Sequence, residues 1–229
     1  AFDWVGTYLE TRFTGGKLSV KVSETGTSYY NVFVDGKLHK VVKVCGTDTL
    51  IHLVSGIDKR IHSLKIQKRS EGEFGKTTVH QFVLSGSGRL AEEPAVRTRH
   101  IEFIGNSLTC GYGTDGKHRD EPFLVETENC NLTFASMVAR YYDADYTLIA
   151  HSGRGAARNY GDSVRVSKVT MKDRMLNTFD EDLTHKWNFK EYRPDLVVIN
   201  LGSNDFSTEP HPYKSEFTKA YKQILAQQI

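Results

Sequence analysis

The sequence has no long apolar run and no excess of charge of one sign. Apolar runs such as Leu196–Ile199 fall far short of the about 20 residues that a membrane-spanning helix requires. Thirty basic residues stand against 28 acidic ones, and the net charge is +2. This balance gives no electrostatic argument for nucleic acid or an anionic membrane as a partner, so we expect neither.

Cysteine and proline are also scarce, with three cysteines and five prolines in 229 residues. Cys45, Cys110 and Cys130 form no C-x-x-C pair, and none has a histidine at zinc-ligand spacing. We therefore expect no metal site and at most one disulfide. Residues 1–10 lack a charged segment followed by an apolar one, so a signal peptide is either absent or already removed. A hydrophobic content of 38% and a charged content of 25% exclude a disordered chain.

The sequence up to residue 97 has the pattern of short strands. Apolar and polar residues alternate strictly in residues 17–23 (KLSVKVS), which buries one face of a strand. Asp35-Gly36 stands between two such runs and predicts a hairpin turn. About six short strands, with no helical period among them, predict an antiparallel β-sandwich over residues 1–97.

From residue 98 to residue 229, strand patterns alternate with helix patterns. Residues 100–104, 146–150 and 196–201 read as strands, the last as a continuous apolar run typical of a parallel sheet. Helical spacing relates two sets of apolar residues, which are Leu132, Ala135, Val138, Ala139 and Tyr142, and then Phe217, Tyr221, Ile224 and Leu225. This alternation predicts a doubly wound α/β domain, with the domain boundary in a polar stretch near residues 90–98.

A short polar segment follows each of the three strands: residues 105–108 (GNSL), 151–155 (HSGRG) and 202–205 (GSND). Ligands bind beyond the carboxyl ends of parallel strands. Ser107 is either a helix N-cap or a nucleophile. As a nucleophile, its oxyanion would be stabilised by its own N–H, by Gly153 N–H and by the Asn204 amide. Thr109 stands where the G-x-S-x-G elbow of the α/β-hydrolases needs glycine, so that class of site is excluded.

These three segments resemble the conserved blocks of the SGNH (GDSL-type) hydrolases. The strings FIGNSLTCGYG, TENCNLTFASMVAR, SGRG and INLGSNDFS are similar to those of the carbohydrate esterase family 2 acetylesterases. The resemblance covers essentially the whole chain. It implies a jelly-roll-like sandwich before a flavodoxin-like SGNH domain, with Ser107 as the nucleophile and Gly153 and Asn204 in the oxyanion hole. Residue 106 is Asn where the first block usually has Asp, so an acceptor is kept and a charge is lost.

The resemblance implies a serine-type carbohydrate O-acetylesterase acting on plant polysaccharides such as xylan or glucomannan through an acyl-serine intermediate. No cofactor is implied, because ester hydrolysis needs a nucleophile, a base and charge stabilisation. The alternative is a non-catalytic glycan-binding module or an inactive esterase homologue. A scaffold for a protein partner ranks behind both. The family also implies a secreted or periplasmic location.

The sequence lacks the segment in which the family carries its catalytic histidine. In the family it lies in an Asp-x-x-His or Asp-x-His segment after the third block, whereas only His211 follows Asn204 here, without an aspartate at that spacing. We therefore expect a further C-terminal segment of roughly 80–100 residues, on a separate or cleaved chain, that carries the histidine and completes the sheet. His151 is an alternative base, although a packed or solvent-facing histidine is the plainer interpretation.

Three further residues are candidates for substrate binding. Tyr112 would stack on a sugar ring or simply pack. Arg154 either lines the cleft or holds its loop by salt bridges. Asp205 contacts substrate or, in the interpretation we favour, orients the loop through backbone hydrogen bonds. Residues 111–116 match G-x-G-x-x-G, but no helix pattern follows, so we do not expect nucleotide binding.

Overall fold

The computed structural model describes residues 1–190 and 193–227. Its first part is an antiparallel sheet with the strand order β2-β1-β3, and β4 pairs with β1. The strands are β1 (Tyr8–Val34), β2 (Lys37–Lys68), β3 (Thr77–Ser85) and β4 (Arg89–Leu90). Asp35 and Gly36 join β1 to β2 with positive φ angles of 50° and 75°, as a type I′ turn requires. The predicted hairpin is therefore confirmed.

The expectation of many short strands is wrong, because most of the predicted runs lie within the two long strands β1 and β2. These strands pair along most of their length, with several register shifts. Gly46 and Gly56, which separate predicted runs in the sequence, have positive φ angles of 79° and 70° and lie at two of these shifts. A bulge bends a strand without ending it. The strands therefore curl while remaining continuous.

One face of this sheet forms an apolar core. Leu18, Val20 and Val22 are all buried there, as the alternation in residues 17–23 predicts. Each fully buried aliphatic side chain contributes about 1.5–3 kcal/mol to stability. A slip of one residue would move these side chains to the solvent face, so the core fixes the register.

The second part of the chain is built on a parallel sheet with the order β6-β5-β9. Its strands are β5 (His100–Gly105), β6 (Asp145–Ala150) and β9 (Leu196–Ile199). The α-helices of the described residues are α1 (Ser107–Cys110), α2 (Phe134–Tyr141), α3 (Met171–Arg174) and α4 (Lys214–Ala226). A hairpin of β7 (Asn177–Phe179) and β8 (Asp182–Lys186) lies between α3 and β9. None of the described helices combines the length and the apolarity needed to cross a membrane.

Helices cover both faces of the parallel sheet. Phe103 of β5 packs in one core with Ala139 of α2, whereas the next residue, Ile104, packs in another with Ile224 of α4. Successive residues of a strand point to opposite faces, so the two cores lie on opposite sides of β5. The predicted doubly wound arrangement is confirmed.

Two segments of the first part are buried in the second. Trp4 belongs to the same core as Ile104, and Val5 belongs to the core of Phe103. Residues 68–71, at the end of β2 and directly after it, are each at most 1% exposed. The proposed boundary between residues 97 and 98 lies in residues 91–99, which form neither helix nor strand. The two parts are therefore joined by buried contacts as well as by the chain.

Candidate active site

The loops after β5, β6 and β9 lie together at one edge of the parallel sheet, since the three strands pair in register near their carboxyl ends. Hydrogen bonds join these loops. Asn106 Nδ2 donates to Ser203 Oγ at 2.9 Å, and Asn204 Nδ2 donates to the Arg154 carbonyl at 2.8 Å. The structure thus brings together the three polar segments that the sequence singles out.

Ser107 begins helix α1 directly after β5. Asn106 is the N-cap, and its Oδ1 accepts a hydrogen bond from Leu108 N at 3.3 Å. The interpretation of Ser107 as the N-cap is therefore wrong. Ser107 is partly exposed, and its hydroxyl has no hydrogen-bond partner in residues 1–190 and 193–227. The side chain is consequently available to a substrate.

The candidate oxyanion donors are also available. Gly153 has a φ of +75°, and no atom lies within 4 Å of the place that a Cβ would take, so the loop is open on that side. Within the part of the chain that the structure describes, neither the Gly153 N–H nor the Ser107 N–H donates a hydrogen bond. Asn204 Nδ2 keeps one proton besides the one it donates to Arg154. Preorganised donors of this kind stabilise the oxyanion of an ester's tetrahedral intermediate.

Asp205 anchors the loop after β6. Its side chain is 0% exposed, and its oxygens accept hydrogen bonds from the backbone N–H groups of Ala156, Ala157 and Arg158 at 2.7–3.0 Å. The expectation that Asp205 binds substrate is therefore wrong, since the carboxylate is buried and used by the backbone. The loop-orienting interpretation is confirmed.

Tyr112 and Arg154 both remain accessible. The Tyr112 ring is stacked on Phe123, with centroids 3.7 Å apart and planes at 11°, while the residue is 49% exposed. Arg154 forms no ion pair with another described residue, and its Nε is buried without a hydrogen-bond partner. The loop-holding salt bridge considered for Arg154 is therefore not formed. Whether either residue contacts substrate remains a proposal.

His151 is buried in an acidic environment. Its Nδ1 lies 2.7 Å from Asp180 Oδ2, and its Nε2 lies 3.8 Å from Glu73 Oε2. Burial by itself would lower the pKa of His151, but the hydrogen bond and charge of Asp180, with the charge of Glu71, raise it above its usual value. No histidine among the described residues hydrogen-bonds to Ser107. The geometry favours a packed His151 over a catalytic base.

Metal-ligating atoms approach one another in two clusters of the described residues. These are Glu71, Cys110 and Glu128, and His151, Asp180 and Glu181. In the second cluster, Arg174 Nη1 lies 2.9 Å from Asp180 and 2.7 Å from Glu181, so a guanidinium already neutralises these carboxylates. In the first, the Glu71 oxygens accept hydrogen bonds from Ser152. In both clusters, carboxylates are thus already engaged by donors of the protein itself.

Two residues at this edge were not predicted from the sequence. Glu71, from the segment after β2, accepts hydrogen bonds from the Ser152 N–H at 2.5 Å and from the Ser152 hydroxyl. Tyr160 is 62% exposed and donates its backbone N–H to the Gly153 carbonyl at 2.8 Å. No local pattern marks Glu71. An aromatic residue beside Gly161 in a polar loop was a weak signal for Tyr160.

The sequence matches two protein families in succession. Residues 1–94 match the carbohydrate esterase 2 N-terminal family, and residues 101–227 match the GDSL-like lipase/acylhydrolase family. Cellulase/esterase CelE of Acetivibrio thermocellus is 35% identical over 224 residues, which are 98% of this chain and 27% of that protein. An acetylxylan esterase / glucomannan deacetylase of Cellvibrio japonicus is 32% identical over 210 residues, which are 90% of this chain and 56% of that protein. The chain therefore spans less than two thirds of the length of either relative.

The fold agrees with these matches. A family two carbohydrate esterase from Clostridium thermocellum, solved in complex with cellohexaose, superposes with a TM-score of 0.93 at 35% identity. The superposition covers 99% of this chain and 68% of that one. The chain belongs to carbohydrate esterase family 2 and, through residues 101–227, to the GDSL-like lipases and acylhydrolases.

Proposed function

We propose that this chain forms the nucleophile and the oxyanion hole of a carbohydrate O-acetylesterase. The main support is that the loops after three strands lie together and present a serine hydroxyl and N–H donors that have no other partner among the described residues. Ser107, Gly153 and Asn204 come from loops that hydrogen bonds hold together. Membership of carbohydrate esterase family 2 supports the same activity.

In the proposed reaction, Ser107 Oγ attacks the carbonyl carbon of the acetyl ester and gives its proton to a general base. The carbonyl oxygen becomes an oxyanion, which accepts hydrogen bonds from the Ser107 N–H, the Gly153 N–H and Asn204 Nδ2. Collapse of this intermediate releases the sugar hydroxyl, which takes the proton from the base, and leaves acetyl-Ser107. Water then attacks the acetyl carbonyl while the same base takes its proton. The bond between the acetyl carbon and Ser107 Oγ breaks, the base returns the proton to Oγ, and acetate is released.

We further propose that the base is a histidine on a segment that pairs with the free edge of β9. Among the described strands, β9 pairs with β5 alone, and Leu196 at this edge is 52% exposed. Parallel sheets are normally covered, and exposed apolar edges promote association with further strands. The greater length of the Clostridium thermocellum esterase, of which this chain covers 68%, also supports such a segment.

The substrate we propose is an acetylated plant polysaccharide such as xylan or glucomannan. The names acetylxylan esterase and glucomannan deacetylase, borne by a relative, support this class, as does the cellohexaose held by the solved esterase. Tyr112 and Tyr160 offer exposed aromatic surface near the site, and aromatic rings pack well on sugar rings. A polymeric substrate of this kind is found outside the cytoplasm, so we propose a secreted or periplasmic location.

The direct test is acetate release from acetylated xylan and glucomannan by the full-length protein. Ser107→Ala removes the attacking oxygen, so we expect the rate to fall by at least about 10³-fold while oligosaccharide affinity is retained. Ser215→Ala, at an exposed position of α4, is the matched control and should leave the rate unchanged. Undiminished acetate release by Ser107→Ala would exclude Ser107 as the nucleophile.

Glycan binding without turnover is the second candidate function. It is favoured by one observation, that no described histidine reaches the Ser107 hydroxyl. This function predicts calorimetric binding of xylo- or cello-oligosaccharides together with no acetate release from the wild type or from any variant. Acetate release that depends on Ser107 would exclude it.

A further inference from the structure

Glu71 lies outside the segments that resemble the hydrolase blocks, yet it contacts the loop of the second block. It belongs to the segment that follows β2, and it is fully buried. Its carboxylate accepts hydrogen bonds from both the N–H and the hydroxyl of Ser152. Ser152 directly precedes Gly153, so the carboxylate holds the residue next to the candidate oxyanion donor.

Glu71 also contacts the helix that carries the nucleophile. The Cys110 thiol, which lies on α1 three residues after Ser107, is within 4.8 Å of the Glu71 carboxylate. One buried carboxylate therefore lies beside the helix of Ser107 and is hydrogen-bonded to the loop of Gly153. The separation of these two elements depends on where that carboxylate is held.

Neighbouring groups fix the orientation of Glu71. Its backbone N–H donates to Glu128 Oε2 at 2.9 Å. Burial, together with the negative charge of Glu71, raises the pKa of Glu128 well above its usual range, which favours the neutral acid beside the Glu71 carboxylate. Lys68 Nζ donates to the Glu71 carbonyl at 2.9 Å. These two hydrogen bonds hold the main chain of Glu71 in place beside the Ser152 loop.

We propose that Glu71 is a positioning residue that fixes the Gly153 loop relative to Ser107, so that the sandwich sets the geometry of the oxyanion hole in the α/β part. The inference rests on the proposed esterase function. Oxyanion donors act at about 2.7–3.1 Å from the developing charge. Because Glu71 bonds to Ser152 rather than to substrate, its loss should reduce turnover more than affinity.

The test uses two variants of nearly constant volume in the full-length protein. Glu71→Met removes both acceptors, and Glu71→Gln keeps one carbonyl oxygen that can accept from the Ser152 N–H. We expect Glu71→Met to lower kcat for acetate release by roughly 10–100-fold with KM nearly unchanged, and Glu71→Gln to lie between it and the wild type. Asp35→Asn is the matched control, since Asp35 also accepts a backbone hydrogen bond, from Ser63 N, but lies in the β1–β2 turn.

A second readout does not depend on activity. Hydrogen–deuterium exchange of residues 150–156 should be faster in both Glu71 variants than in the wild type and unaltered in Asp35→Asn. Wild-type exchange of this peptide in folded Glu71→Met would overturn the inference, as would a kcat for that variant equal to that of the control. A wild-type protein without esterase activity would refute the proposed function instead, and the exchange result would still decide the role of Glu71.

Discussion

At the residue scale, Asn106 uses both ends of one amide. Its Oδ1 caps α1 through Leu108 N, and its Nδ2 donates to Ser203 Oγ in the loop of the third block. An ionised aspartate at this position could accept from Leu108 and from the Ser203 hydroxyl, but it could not donate. Asparagine therefore keeps the link between the two loops, with the direction of that hydrogen bond reversed.

The proposed role of the Asn204 side chain can be tested by substitution. Asn204→Ala removes one of the proposed oxyanion donors, so we expect kcat to fall by about 10²–10³-fold with a much smaller change in KM. Asn204→Asp should lose at least as much activity, because its carboxylate lacks the N–H and repels the oxyanion. Steady-state acetate release by the full-length protein measures both effects. Losses below about threefold in both variants would mean that Asn204 only shapes the loop through its bond to Arg154.

At the scale of elements, the β7–β8 hairpin is attached to the end of β6 by buried charges. Asp180, in the turn of the hairpin, accepts from His151 Nδ1 at 2.7 Å and from Arg174 Nη1 at 2.9 Å. The backbone N–H of Asp180 donates to Asp3 Oδ1 at 2.9 Å. Asp180 thus binds the strand end through its carboxylate and the first residues of the chain through its backbone.

The titration of His151 should appear in the stability of the protein. Burial lowers the pKa of His151, but Asp180 and Glu71 raise it to a net value above normal. The stabilisation that protonated His151 gives to the folded protein is therefore fully present at pH values below its unfolded pKa of about 6.5. It is lost as the pH rises through the folded pKa. We expect the difference in free energy of unfolding between wild type and His151→Gln to shrink between pH 6 and pH 9, as measured by urea denaturation at each pH.

His39→Gln, at an exposed position of β2, is the control for that experiment. A constant difference between wild type and His151→Gln across this range would show that the Asp180 contact does not stabilise the charged imidazole.

Local sequence patterns predicted which strands, turns and helices form better than they predicted where those elements begin and end. The alternation of residues 17–23 and the Asp35-Gly36 turn depend on neighbouring residues, and both predictions are confirmed. The helix pattern was extended too far, because α2 begins at Phe134, after a 3₁₀ turn, and leaves Leu132 41% exposed. The carboxyl ends of the three strands indicated the candidate site because parallel topology places them at one edge.

Contacts between distant segments could not be predicted in this way. Glu71 and Ser152 are 81 positions apart, and nothing in the sequence near either residue signals their pairing. Likewise, the sequence favours a loop-orienting role for Asp205 but does not indicate that its partners are the N–H groups of Ala156, Ala157 and Arg158. Which group such a side chain contacts depends on the packing of one loop against another, and neither hydrophobic periodicity nor motif spacing reports that packing.

At the scale of the whole molecule, Arg69 holds the sandwich to the α/β part. It is 1% exposed, and its guanidinium donates to the Glu128 carbonyl at 2.6 Å, to Asn31 Oδ1 at 3.2 Å and to the Asp115 carboxylate. Asn31 belongs to β1, whereas Asp115 and Glu128 follow helix α1. A single side chain therefore satisfies acceptors on both sides of the junction.

Removal of this cation should destabilise the whole chain. We expect Arg69→Met to lower the free energy of unfolding by about 2–3 kcal/mol, less than the roughly 3–5 kcal/mol of a fully buried pair, because Asp115 is partly exposed. Arg60→Met, which loses an exposed ion pair with Asp58, should change it by less than about 0.5 kcal/mol. Urea denaturation followed by circular dichroism measures both. A loss below about 0.5 kcal/mol in Arg69→Met as well would show that the junction contributes little to stability.

The burial of residues 68–71 in the α/β part also limits how such proteins can be recombined. A gene fusion that joined residues 98–229 to a sandwich from another source would keep Ser107, Gly153 and Asn204. It would nevertheless lose the carboxylate that holds Ser152, unless the donor sandwich presented one at the same place. The two parts of the chain are therefore not freely interchangeable. In a functional chimaera, residues 68–71 and the loop that they hold would have to come from the same protein.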